Sequence, residues 1–143
     1  MSSSASPTPT PAEAALAKKA ARPKYYDLNL LNLPVPGLVS IFHRITGVAM
    51  FLFLIPLTLY ALQTSLINEA GFAEIQKCFA MPIVKLITIG FIWAFMHHLF
   101  AGIRYLLLDL HIATALAPAR LTAKLVFVAG IVATAIFALR VVI

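Results

Sequence analysis

Three long stretches of the chain carry almost no charge, and they predict its architecture. Between Arg44 and Glu69 lie 24 consecutive residues without a formal charge, more than the ~20 that a helix needs to cross the hydrocarbon of a bilayer. Between Lys85 and Arg104 lie 18 more. The segment between Lys124 and Arg140 is equally apolar. These runs predict an all-α integral membrane protein with three transmembrane helices, over about residues 40–64, 82–108 and 121–143. Pro56 predicts a kink at most, because neighbouring groups in a membrane bundle re-satisfy the backbone that a proline frees. Residues 65–82, with Glu69, Glu74, Lys77 and Pro82, predict a loop.

The region before the first span reads differently. Residues 22–39 (RPKYYDLNLLNLPVPGLV) mix Tyr25 and Tyr26 with leucines and asparagines, and Pro34 and Pro36 oppose a regular helix. This half-polar, aromatic stretch predicts an interfacial segment lying on the membrane. Residues 1–21 are rich in Ser, Pro and Thr, then in Ala and Lys, and predict a disordered tail outside a membrane domain of residues 22–143. The tail has no apolar core of a signal peptide. Lys18, Lys19 and Arg22 outnumber Glu13, as in a mitochondrial leader. Pro7, Pro9 and Pro11, however, oppose the amphipathic helix such a leader forms, which favours a bacterial cytoplasmic tail.

Composition agrees. The chain is 62% hydrophobic and 11% charged, where a soluble domain has roughly 45–50% and about 25%. A chain of 143 residues has too much surface for its volume to hide that apolar content from water. The net charge of +6 comes from residues that flank the apolar runs rather than from one basic patch, which argues against nucleic-acid binding and for contact with membrane lipid. Lys18, Lys19, Arg22, Lys24 and Arg44 precede or open the first span, and Arg104, Arg120 and Lys124 lie between the second and third. By the positive-inside rule the N-terminus is cytoplasmic and the C-terminus periplasmic in a bacterial inner membrane, or matrix and outside in a mitochondrial one. Cys78 is the single cysteine, so the chain forms no intrachain disulfide, no CxxC pair and no covalent haem attachment.

Polar groups inside a bilayer are costly and therefore mark candidate sites. His97 and His98 fall well inside the second span. On a helix His98 shares a face with Gly102 and Tyr105, and glycine one turn from an imidazole leaves a recess fit for a porphyrin edge. The same pattern also serves a histidine bonded to another helix, or tight packing on small residues. His97 points ~100° away and reads as a helix–helix contact. In SIFHRITG (40–47), Ser40 and Arg44 lie one turn apart, with His43 and Gly47 on an adjoining arc. Serine with Arg or His could hold a quinone carbonyl, and Arg could hold a haem propionate; an Arg there could equally extend to lipid headgroups. Arg104 and Asp109 could pair with one another or with a partner chain, and read as an interfacial charge pair.

Two of these segments together resemble the cytochrome b (C) subunit family of succinate dehydrogenase. The first, RPKYYDLNLLNLPVPGLVSIFHRIT (22–46), opens on Arg-Pro and closes on Ser-x-x-His-Arg-x-Thr; the second, HLFAGIRYLLLD (98–109), is His-x-x-x-Gly-Ile-Arg followed by Asp. The resemblance implies a haem b shared with a second small membrane anchor subunit, with His98 as an axial ligand of the iron, the metal site of this chain. It implies haem contacts for His43, Arg44 and Gly102, and ubiquinone bound at Ser40 and Arg44. It implies flavoprotein and iron–sulfur subunits as further partners, and no succinate-oxidising site in this chain. Lys24 and Tyr105 depart from the family pattern, the latter standing where many members have His. A non-redox transporter or channel subunit, or a haem-free anchor of a fumarate reductase, is the alternative reading.

Overall fold

The computed structural model describes residues 9–20 and 33–142. The chain divides into two compact units, Met1–Leu31 and Asn32–Ile143.

In the first unit, helix α1 spans Pro11–Ala20 where a disordered tail was expected. The reason is local. Pro11 sits in the first turn, where its missing N–H costs nothing, and the following alanines favour helix. Thr10 and Glu13 form a capping box: the Thr10 N–H and hydroxyl each donate to Glu13 Oε2 at 2.8 Å, and the Glu13 N–H donates to Thr10 Oγ1 at 3.3 Å. Those bonds hold the Glu13 carboxyl below the usual carboxylate range. Residues 1–8, and residues 22–32 of the expected interfacial segment, lie outside the described residues.

The second unit is built on three helices long and apolar enough to cross a membrane. α2 covers Val35–Ile67 and begins earlier than the expected Ser40. Pro34 and Pro36 start this helix rather than oppose it, because they occupy the N-cap and second positions, whose N–H groups have no partner in any helix. Within α2, Met50–Leu54 widens into a π turn closed by the Ile55 N–H on Met50 O. Pro56 explains it: its ring would collide with the carbonyl four residues earlier, and a wider turn moves that carbonyl away.

Residues 69–80, expected as loop, form helix α3 (Glu69–Ala80). Asn68 caps it by accepting from the Gly71 N–H at 2.7 Å, with Glu69 in its first turn and Lys77 in its last. Gly71 permits the sharp corner from α2, since a Cβ there would run into the Thr64 carbonyl. Helix α4 is Pro82–Asp109 and α5 is Leu116–Val142, five residues longer at its start than expected. α4 stops in a Schellman motif: the Ile112 N–H reaches Leu107 O and the His111 N–H reaches Leu108 O, each at 2.9 Å. His111, at φ 60°, takes the left-handed position usually given to glycine.

Among the described residues there is no strand. The core joins Val39 of α2, Ala101 of α4 and Ala123 and Val126 of α5. Small residues here let helix backbones approach closely, as packing between membrane helices requires. The most apolar window of α2 is only 6% buried, against 17% in α4 and 22% in α5. Most of the first span is therefore left unburied by the rest of this chain.

Candidate functional site

The polar centre of the chain lies on the seam between α2 and α4. The His98 ring, from α4, lies nearly parallel to the His43 ring of α2, with centroids 4.0 Å apart and planes at 14°. His98 Nδ1 is 3.0 Å from the His43 carbonyl oxygen and 3.3 Å from Thr46 Oγ1. A carbonyl only accepts, so Nδ1 carries the proton and Nε2 holds the lone pair. The Thr46 hydroxyl donates to Phe42 O at 2.7 Å, which leaves its own lone pairs to face Nδ1–H. Among the described residues Nε2 makes no hydrogen bond.

Two glycines lie on the seam. A Cβ on Gly102 would meet His43 Nε2 at 3.8 Å, an ordinary van der Waals contact, so the His43 ring borders the recess expected at Gly102. Gly47 lies against His98 itself: a Cβ there would stand 2.9 Å from its Cε1. Tyr105 shares the face as expected, edge-on to His43 at 5.2 Å, and its buried hydroxyl has no partner among the described residues. Ser40 and Arg44 lie one turn apart on α2, Ser40 half-buried and Arg44 exposed.

His97 points the other way. It is fully buried, stacked on Trp93 at 5.4 Å, tilted on Phe127 at 5.0 Å and edge-on to Phe42 at 5.9 Å. Neither ring nitrogen has a hydrogen-bond partner among the described residues; the Val39 backbone faces the ring without reaching bonding geometry.

Residues 18–137 match the succinate dehydrogenase/fumarate reductase transmembrane subunit family, and that range contains both motif segments. The chain belongs to that family. Similar proteins include the succinate dehydrogenase cytochrome b556 subunit of Coxiella burnetii, 34% identical over 115 residues that make up 80% of this chain and 91% of the relative. That of Rickettsia typhi is 28% identical over 113 residues, 79% and 87% of the two chains. As a transmembrane subunit of a succinate dehydrogenase or fumarate reductase, the chain anchors an enzyme to the membrane.

In this family member Arg104 does not form the pair expected with Asp109. Asp109 is exposed, and five residues turn it to a different face of α4. Arg104 is buried and reaches α5, donating from Nε to Thr122 Oγ1 at 3.2 Å and from Nη2 to Ala119 O at 3.3 Å. It fastens the start of the third span to the end of the second. Sequence reasoning gave Thr46 no role of its own. Its signal was a hydroxyl three residues past His43, able to bond its own helix and face across the seam.

Proposed function

We propose that the chain is the haem b- and ubiquinone-binding anchor subunit of a succinate dehydrogenase. The observation that carries this reading is the state of His98. A histidine that ligates a metal donates its second ring N–H to a carbonyl or similar acceptor, which fixes the tautomer. His98 does so through Nδ1 to the His43 carbonyl, leaving the Nε2 lone pair for iron. The residues thus fit a b-type haem, and the names of the relatives, cytochrome b556 subunits, support the same group. A second small anchor subunit would complete the hold on the haem, and flavoprotein and iron–sulfur subunits would supply the electrons of succinate.

When bound, haem b supplies a one-electron carrier within the membrane. The chain's own residues do the rest. His98 offers its lone pair at Nε2, and His43 braces the ring. Arg44 has donors for a propionate or a quinone oxygen. Because arginine stays protonated, Arg44 stabilises negative charge on that oxygen without releasing a proton, while Ser40 adds a neutral donor. The cationic flanks orient the N-terminus toward the cytoplasm, in a bacterial inner membrane.

Two measurements test this. The purified complex should give a reduced-minus-oxidised spectrum with a low-spin b-type band, and His98→Ala should abolish it; an assembled His98→Ala complex with the band intact would refute the ligand. A reporter fused after Ile143 should be active only outside the cytoplasm, and cytoplasmic activity would refute the orientation.

A further inference from the structure

His98 is held by more than the bond that fixes its proton. A planar ring on a side chain must be fixed in tautomer, in rotation and in position before its lone pair points one way. Each of these is supplied by a different group of α2. The His43 carbonyl, at 3.0 Å, accepts the Nδ1 proton. The Thr46 hydroxyl, at 3.3 Å, is a second acceptor for that proton, because its own hydrogen is directed to a carbonyl of its own helix, Phe42 O at 2.7 Å or His43 O at 3.1 Å. The His43 ring, parallel to His98 at 4.0 Å, opposes rotation about the Cβ–Cγ bond. Gly47 sets how closely the ring approaches α2, since a Cβ would stand 2.9 Å from Cε1, nearer than real Cβ contacts come. Gly102 acts one step further out: it seats the His43 ring that seats His98.

We propose that Thr46 and Gly47 are positioning residues for the His98 ligand, Thr46 by sharing the Nδ1 proton with the His43 carbonyl and Gly47 by setting the ring's approach to the helix. This rests on the reading of His98 as an axial ligand. Hydrogen bonding at Nδ1 makes the imidazole a stronger donor at Nε2, which favours the ferric over the ferrous state. Loss of the Thr46 acceptor therefore weakens the hold on haem and raises its midpoint potential. Loss of the Gly47 space turns the ring away and costs more.

The test uses the assembled four-subunit complex with Thr46→Val, Thr46→Ser, Gly47→Ala and the control Thr88→Val. Thr88 lies on α4, and among the described residues its hydroxyl bonds only its own helix, to Val84 O at 2.8 Å. Thr46→Val should weaken haem retention by about 10-fold and raise the midpoint potential, and Gly47→Ala should weaken retention by about 100-fold, within the span seen for groups that orient metal ligands. Thr46→Ser should restore retention and potential, and Thr88→Val should match the wild type. A reading independent of haem comes from histidine 15N shifts in the haem-depleted wild-type complex, where His98 should be protonated at Nδ1. This keeps the inference open to refutation even where Thr46→Val fails to assemble. Wild-type retention and potential in Thr46→Val, no rescue by serine, or a His98 protonated at Nε2 would each overturn it. If His98→Ala itself keeps the low-spin band, the ligand reading fails. If His98→Ala loses the band while Thr46→Val is silent, only the positioning role fails.

Discussion

His97 and His98 are neighbours on one helix, and their surroundings have little in common. One residue's rotation about the helix axis, ~100°, separates the two rings. His98 lies half-buried on the seam between α2 and α4, its proton committed to a carbonyl and its ring braced by His43. His97 is sealed among Phe42, Trp93 and Phe127, with both nitrogens unpartnered among the described residues. An imidazole becomes a ligand through what its other nitrogen does and what can reach it, not through its place in a span. The seam gives His98 polar neighbours on α2, His43 and Thr46; the aromatic centre has none that bonds the His97 ring among the described residues.

The sharpest way to break this contrast is to remove each ring in turn. His98→Ala should lose the low-spin spectrum, whereas His97→Ala should keep it; the reverse result would exchange the two roles. Next in size is Arg44→Leu, which deletes a charged donor from the seam. It should lower succinate–quinone turnover by roughly 100-fold, while electron transfer from succinate to a soluble acceptor upstream survives. Ser40→Ala removes a neutral donor and should cost about 5-fold in the same assay. Normal quinone reduction by both variants, assembled and haem-loaded, would move the quinone site elsewhere. Smallest is His97→Phe, which replaces a buried ring lacking bonds with an apolar one of similar shape. It should leave the spectrum unchanged and raise resistance of the complex to heat by the equivalent of about 1 kcal/mol. A marked loss of stability would mean that His97 has a partner in the assembled complex. Arg120→Gln, a change at an exposed cation near the start of α5, should alter none of these readings.

The spans were legible because a membrane demands about 20 uncharged residues in a row, and no packing detail overrides that. Their ends were not. Pro34 and Pro36 look like breakers until they are counted as the cap and second position of a helix, and Glu69–Ala80 looks like a loop until Asn68 is seen as its cap. The seam was half legible. Helical spacing put Ser40, His43, Arg44 and Gly47 on neighbouring arcs of α2, and put His98, Gly102 and Tyr105 on one face of α4. Which glycine faces which ring depends on how the two helices meet. No periodicity within one helix contains that, so Gly102 went to His98 and Thr46 went unremarked. Arg104 failed for the same reason: its partners, Thr122 and Ala119, lie on another helix.

The wide turn at Met50–Leu54 leaves the first span with slack. It spends one residue more than a regular helix would between the half bearing Ser40 to Gly47 and the half running from Ile55 to Ile67. Excising one residue there would bring a carbonyl back against the Pro56 ring, and inserting one would move the lower half around the axis by ~100°. In either case the change is absorbed below the turn. The upper half, with the groups that face His98, keeps its phase against α4. The first span is thus two rods joined at a wide turn, with the residues that face His98 all on the upper one.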